Sequence, residues 1–273
     1  MQTQGTDYLQ DPTRGSATAV GGPSALPVLA TPAEPESVLR AGLVAAAGPV
    51  SLACSFSIED VVLIDLLCKS GLLSEFGTEI FALDTGRLHE ETYEVAEALT
   101  QRYGVSISWY FPDPVEVERL LRQKGPFSFR SSLADRHACC GVRKVAPLLR
   151  ALHGKAGWIT GQRREQAVTR TALQPLERDA AHGNILKINP LCEWSEQRVW
   201  SYADARGLPR SRLYERGYLS IGCAPCTRPV RAGEPSRAGR WWWEDPEHKE
   251  CGLHQIGAPR PPLAEVAAAE STA

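Results

Sequence analysis

No apolar run in this 273-residue sequence approaches the length of about 18 residues that a membrane span needs, so no transmembrane segment is expected. The first 13 residues hold Asp7 and Asp11 but no Lys or Arg, unlike the basic start of a secretory leader. Net charge is also lacking: 30 basic side chains against 32 acidic ones leave −2, which gives no global field toward nucleic acid or an anionic membrane. Neither G-x-x-x-x-G-K-[ST] nor a strand-embedded G-x-G-x-x-G occurs, which disfavours a Walker NTPase and a standard Rossmann dehydrogenase. No repeat at a solenoid period is present. What remains is an ordinary globular composition, 43% hydrophobic and 23% charged, with a cytoplasmic location expected.

Eight cysteines lie in this chain, and a reducing compartment makes disulfides improbable for them. Cys54, Cys68 and Cys192 sit in apolar stretches and read as core fillers. Cys139-Cys140 and Cys223-Ala224-Pro225-Cys226 supply four thiolates, the ligand number of a [4Fe–4S] cluster or of a structural zinc. Adjacent cysteines depart from the knuckle spacing of zinc sites, which favours the cluster. Cys251, in a polar stretch with Lys249 and His254, is a candidate nucleophile, with an incidental exposed thiol or a fifth ligand as the alternatives.

Residues 1–36, with five Pro and four Gly, read as a disordered tail. From Ser37 the pattern is regular: helix 38–47, strand 50–54, helix 60–69, strand 79–83, helix 88–103 ended by Gly104, and a strand over 105–111. A helix over 114–123, a helix over 140–152, and strands at 157–160 and 184–188 follow. The expectation is an α/β fold with a mainly parallel five-stranded sheet covered on both faces. Ser195 caps a further helix to Arg206. Residues 37–213 are read as the ligand-binding domain, 214–256 as an irregular C-terminal arm, and 257–273 as a frayed tail.

Ligands of open α/β sheets bind at the carboxyl ends of strands. Three such loops carry candidate residues. Ser55, Phe56, Ser57, Glu59 and Asp60 follow the first strand, where hydroxyls and amides at a helix start suit phosphate or sulfate, although Ser and Asp also cap helices without any ligand. Leu83, Asp84, Thr85, Gly86 and Arg87 close the second. Gly161, Arg163, Arg164, Gln166, Thr169 and Arg170 follow the fourth, inside a 143–170 window with seven basic residues and one acidic residue, a credible anion pocket.

These loops, together with Cys139-Cys140-Gly141-Val142-Arg143-Lys144, Cys223 to Cys226 and Lys249 to His254, resemble the assimilatory sulfonucleotide reductases over residues 45–254. The likeness is to the iron–sulfur branch, the adenylyl-sulfate (APS) reductases. It implies an adenine nucleotide α-hydrolase-like (PP-loop-like) fold in which the Ser55, Asp84 and Arg163 loops grip the nucleotide. It also implies a [4Fe–4S] cluster, one per subunit, on Cys139, Cys140, Cys223 and Cys226. By the same resemblance Cys251 attacks the sulfate sulfur of adenosine 5′-phosphosulfate, AMP leaves, and thioredoxin or a similar dithiol protein releases sulfite from the S-sulfocysteine. Lys144, Arg237, Arg240 and His254 are then expected near the substrate's anionic end. A homo-oligomer is expected, with no nucleic-acid or membrane partner.

Three alternatives stand beside that reading. A 3′-phosphoadenylyl-sulfate reductase shares the chemistry but lacks the four paired cysteines, and dual use of both nucleotides stays open. An ATP-pyrophosphatase relative has a phosphate loop S-G-G-x-D-S, whose glycines are replaced here by Phe56 and Ser57. A zinc-stabilised nucleic-acid-binding module explains neither the charge of −2 nor Cys251.

Overall fold

The computed structural model describes residues 26–30 and 32–245, apart from the side chain of Val168. A helix that opens with proline, α1 (Pro35–Ala46), precedes strand β1 (Val50–Cys54). Pro suits a first helical turn because its missing N–H has no partner there anyway. Next come α2 (Ile58–Lys69), α3 (Leu72–Glu75), β2 (Glu79–Leu83), α4 (Glu90–Tyr103), β3 (Ile107–Tyr110) and α5 (Pro114–Lys124). The chain continues through α6 (Leu133–Cys140), α7 (Ala146–Leu152), β4 (Gly157–Ile159), β5 (Leu176–Asp179), β6 (Ile185–Ile188) and α8 (Glu196–Ala205). Within the stretch expected as a tail, Leu26 and Leu29 pack on the core and the Ala33 N–H donates to Glu193 at 3.0 Å, so the chain joins the body before residue 37.

The sheet has six strands in the order β3-β2-β1-β4-β6-β5, all parallel except β5, which runs antiparallel to β6. The expectation of five strands is corrected by β5. Its sequence, Leu-Glu-Arg-Asp, has one apolar residue and sits on an edge, so hydrophobic patterning gives it no signal. It is held instead by the ladder to β6 and by Lys187 reaching Glu177 at 2.9 Å.

Helices cover both faces. On one face α2 is buried from Ile58 through Leu67, the mark of a helix packed on all sides. Near its middle the buried carboxylate of Asp65 accepts from Tyr103 at 2.7 Å, Tyr202 at 2.6 Å and Arg206, and so ties α2 to α4 and α8. On the other face Phe81 and Trp158 pack against Leu148, Ala151 and Leu152 of α7. Gly104 ends α4 with φ 65°, and the Ser195 hydroxyl accepts the Arg198 N–H at 3.1 Å to start α8, both as the sequence predicts.

The helix expected over 140–152 is not one regular α-helix. Gly141–Val145 forms a π segment between α6 and α7. Pro147 accounts for it: proline has no N–H for the carbonyl four residues back and its ring crowds that carbonyl, so the backbone widens ahead of it. Two adjacent cysteines thus stand directly before a helix irregularity that ends in Lys144 and Val145. No helix among the described residues is long and apolar enough to cross a membrane.

Candidate functional site

The strand order reverses between β1 and β4, and a cleft of about 240 Å³ opens at the carboxyl ends of the strands there. Ser55, Phe56, Ser57, Glu59, Asp60, Leu83, Thr85, Lys144, Gly161, Arg163, Gln166, Arg170, Arg237 and Arg240 line it. Residues from all three predicted loops, from the π segment and from the C-terminal arm therefore meet at one place.

The β1 loop is built around Asp60, whose Oδ2 accepts from the Ser55 N–H at 2.6 Å and the Ser55 hydroxyl at 2.8 Å. Burial pushes the Asp60 carboxyl up to about 7, against the pull of those Ser55 bonds. Phe56 adopts φ 62°, a left-handed conformation that glycine takes freely and other residues take at a cost of about 1–2 kcal/mol. Its buried ring offsets this by stacking on Trp109 at 5.4 Å, which in turn stacks on Tyr93 at 5.6 Å. The Ile58 N–H donates to the hydroxyl of Tyr214 at 3.0 Å, so one helix-start donor is taken by a side chain from far along the chain.

Gly161 lets the β4 loop touch this assembly. A Cβ there would stand 2.5 Å from Asp60 Oδ1 and 3.0 Å from Glu59 Cβ. Beyond it Arg163 is buried against Glu59 at 2.9 Å, and Gln166 donates to the same carboxylate at 2.9 Å. Arg164 turns from the cleft to the Leu173 carbonyl at 2.8 Å and to Glu193 at 3.1 Å, and Thr169 is exposed and does not line it. The basic window expected over 143–170 is thus partly neutralised by acids distant in sequence, and the other cations that line the cleft are Lys144, Arg170, Arg237 and Arg240.

In the β2 loop, Asp84 does not line the cleft but shapes it. Its carboxylate accepts the Gly86 N–H at 2.7 Å and the Tyr93 hydroxyl at 2.8 Å, with Gly86 at φ 68°. Arg87 points away, donating to the Pro126 carbonyl at 2.7 Å over the ring of Phe129, while its own carbonyl accepts the Ala224 N–H at 2.8 Å. That last bond attaches the arm to the sheet.

Next to the cleft lies a smaller cavity walled by Cys139, Cys140, Cys223 and Cys226, with Arg87, Arg143, Lys144, Arg240 and Trp241 around them. Lys144, Cys223 and Arg240 belong to both cavities. Thr85 Oγ1 lies 3.3 Å from Cys223 Sγ, and Arg143 donates to the Thr85 carbonyl at 2.6 Å. Burial pushes the Cys226 thiol up to about 12, with Cys223 adding to the rise and Lys144 and Arg240 opposing it. Burial likewise raises Cys139, against Arg143 and Arg87.

Arg143 Nε, Arg240 Nε and Trp241 Nε1 are buried donors with no hydrogen-bond partner among the described residues, and all three residues wall this cavity. A buried unpaired donor costs about 1–3 kcal/mol. Four thiols ringed by cations and unpartnered N–H groups form a donor set that suits an anionic metal–sulfur group, whose sulfurs would accept those bonds. Among the described residues no group of three or more acidic, Cys and His side chains converges on a single ion.

Cys251 and His254 lie outside the described residues. Sequence reasoning missed Gln162, Trp200, Tyr214 and the Ser220–Gly222 turn, all of which line the cleft. It also missed Arg136, fully buried, which pairs with Glu244 at 2.9 Å and stacks on Trp241 at 4.6 Å. A charged residue on a short helix carries no sequence signal for such burial.

The phosphoadenosine phosphosulfate reductase domain model matches residues 49–229. The protein named adenosine 5′-phosphosulfate reductase from Allochromatium vinosum is 47% identical over 80% of this chain and 84% of its own length. Its namesake from Burkholderia cepacia is 46% identical over 81% and 86%. Among solved structures, phosphoadenylyl-sulfate reductase from Candida auris in a phosphate complex superposes with a TM-score of 0.59 at 26% identity, covering 72% of this chain and 90% of that one. With two thirds of its length matched by the domain model and close relatives over most of the chain, this protein belongs to the phosphoadenosine phosphosulfate reductase domain family.

Proposed function

We propose that this protein reduces adenosine 5′-phosphosulfate to sulfite and AMP in assimilatory sulfate reduction, with a thioredoxin-like dithiol protein as reductant. The observation that carries the reading is the sharing of Lys144, Arg240 and Cys223 between the cleft at the switch point and the four-thiol cavity. It is supported by relatives at 46–47% identity named for that activity.

The chemistry follows from the residues. Lys144, Arg237 and Arg240 bind and orient the phosphosulfate end, concentrating positive charge where the leaving phosphate develops negative charge. The thiolate of Cys251 attacks the sulfur; the S–O bond to the phosphate breaks, AMP leaves with the electron pair, and Cys251 carries the sulfonate. A dithiol protein then attacks the Cys251 sulfur, sulfite leaves with the bonding pair, and the second thiol of the donor resolves the mixed disulfide, so the dithiol supplies both electrons. Cys139, Cys140, Cys223 and Cys226 would hold a [4Fe–4S] cluster, which in this reading supplies structure and local electrostatics beside the sulfate. Placement in the cytoplasm and a homo-oligomeric state belong to the same proposal.

The test is anaerobic sulfite release with thioredoxin, run in parallel with adenylyl sulfate and with its 3′-phosphorylated form. Selective turnover of the first is expected. Preference for the second makes the protein a phosphoadenylyl-sulfate reductase, and no sulfite from either overturns the reading.

A further inference from the structure

Among the described residues, one buried acceptor in the cleft has no hydrogen-bond partner within the protein. Gln162 is 5% exposed and lines the cleft, and its side-chain carbonyl oxygen is buried without any hydrogen-bond partner among the described residues. The nearby loop residues Arg163 and Gln166 donate to other partners: Arg163 to Glu59 and the Trp194 carbonyl, and Gln166 to Glu59. Its backbone is held in place, with the Gln162 N–H on Thr160 Oγ1 at 3.4 Å, the Thr160 hydroxyl on Asn189 Oδ1 at 2.6 Å, and Asn189 donating to the Gln174 carbonyl at 2.8 Å. Thr160 and Asn189 are themselves buried. The backbone at Gln162 is thus held in place before any ligand arrives.

A buried acceptor excludes ligand groups that bring no hydrogen. The phosphate and sulfate oxygens of an adenylyl sulfate carry none at neutral pH and would be repelled from it. The donors on such a ligand are all on the nucleoside: the exocyclic amine of adenine and the two ribose hydroxyls. We infer that Gln162 is a specificity-determining residue that accepts a hydrogen bond from a nucleoside N–H or O–H. The nucleoside then lies at the β4 loop, and the anionic end lies at Lys144 and Arg240 beside the four thiols. A site with a buried polar group discriminates strongly against a ligand lacking the matching partner, because binding leaves that group unpaired. If the donor is the ribose 3′-hydroxyl, a 3′-phosphate removes the donor and adds charge, and Gln162 excludes the 3′-phosphorylated nucleotide.

This inference rests on the proposed function, in that it takes an adenine nucleotide as the occupant of the cleft. The experiment measures binding of AMP, inosine monophosphate, 2′-deoxy-AMP and 3′-deoxy-AMP to the full chain under anaerobic conditions, for wild type, Gln162→Met and Gln162→Glu. In wild type, the analogue that lacks the partner donor is expected to bind about tenfold more weakly than AMP, as one lost hydrogen bond of about 1.4 kcal/mol implies. Gln162→Met removes the acceptor in a similar volume and is expected to bind that analogue and AMP equally. Gln162→Glu keeps an acceptor; its added charge weakens every nucleotide, yet the ratio between AMP and that analogue is retained. Equal binding of all four nucleotides by wild type, or the same ratios in Gln162→Met as in wild type, overturns the assignment. Absence of AMP binding by wild type overturns the nucleotide reading of the cleft itself and is recognised by that result alone.

Discussion

The buried pair Glu59–Arg163 offers the sharpest quantitative test of how the cleft is built. Their side chains are 10% and 5% exposed, 2.9 Å apart, and they join the start of α2 to the β4 loop across the switch point. Glu59→Gln keeps the shape and an acceptor but removes the charge, leaving the buried Arg163 with only the largely exposed Glu165 carboxylate at 3.7 Å. Removing one partner of a buried pair costs about 3–5 kcal/mol, and each kcal/mol lowers the midpoint by about 2–4 °C in a chain of this class, so a fall of roughly 6–20 °C is expected. Replacing both partners with apolar residues, Glu59→Leu with Arg163→Met, should recover most of that loss, because no buried charge is then left alone. Thermal unfolding of the reduced protein in matched anaerobic buffer reads both. A fall under about 2 °C for Glu59→Gln, or a double variant no better than the single, would refute the claim that Arg163 spends its charge on Glu59 rather than on a ligand.

Other consequences follow from burial and contact. Asp60 is raised to about 7 chiefly by burial, so its contribution to stability is full below its unfolded value near 4 and is lost as pH rises to about 7; Asp60→Asn should flatten the fall in melting temperature between about pH 4 and 7, and an unchanged slope counts against the assignment. Asp65 has the opposite sign: burial alone would raise it, but Arg206 and the Tyr202 and Tyr103 hydroxyls hold it below the usual carboxylate range. Its stabilisation is therefore present above about pH 4 and lost as pH falls below that, and Asp65→Asn should lower stability at pH 7 while removing that acid-side loss, as acid titration followed by circular dichroism would report. Gly161→Ala drives a methyl to 2.5 Å from Asp60 Oδ1, an overpacking that costs about 1–3 kcal/mol; a melting temperature equal to wild type would mean the two loops do not touch as described.

The parts of the fold carried by hydrophobic runs were readable. Strands 50–54 and 79–83 have the bounds that patterning predicts, because both are buried in the middle of a parallel sheet. β5 was not readable, since a polar edge strand is specified by its partner rather than by its own residues. The π segment before Pro147 was legible in principle, as a proline inside a predicted helix demands some adjustment.

The site divides in the same way. The loops after β1, β2 and β4 converge because strand ends converge, which the alternation of elements already implies. Charge counting over 143–170 overstated the anion pocket, since Glu59 and Glu193, distant or separated from that window, take up Arg163 and Arg164. The grouping of Cys139-Cys140 with Cys223 and Cys226 follows their motifs, but the unpartnered donors of Arg143, Arg240 and Trp241 that surround them are properties of packing alone. So is the unpartnered carbonyl of Gln162, one position from residues the sequence did single out.

The central claim is that Cys251 takes the sulfonate from adenylyl sulfate. Its most direct test is a single-turnover incubation of cluster-replete protein with sulfur-35-labelled adenylyl sulfate and no reductant, followed by peptide mapping. The account predicts one label per chain on the peptide containing Cys251, release of that label as sulfite on adding thioredoxin, and no label on Cys251→Ser although the variant still binds AMP. Label on another cysteine, or an undiminished adduct in Cys251→Ser, would contradict it.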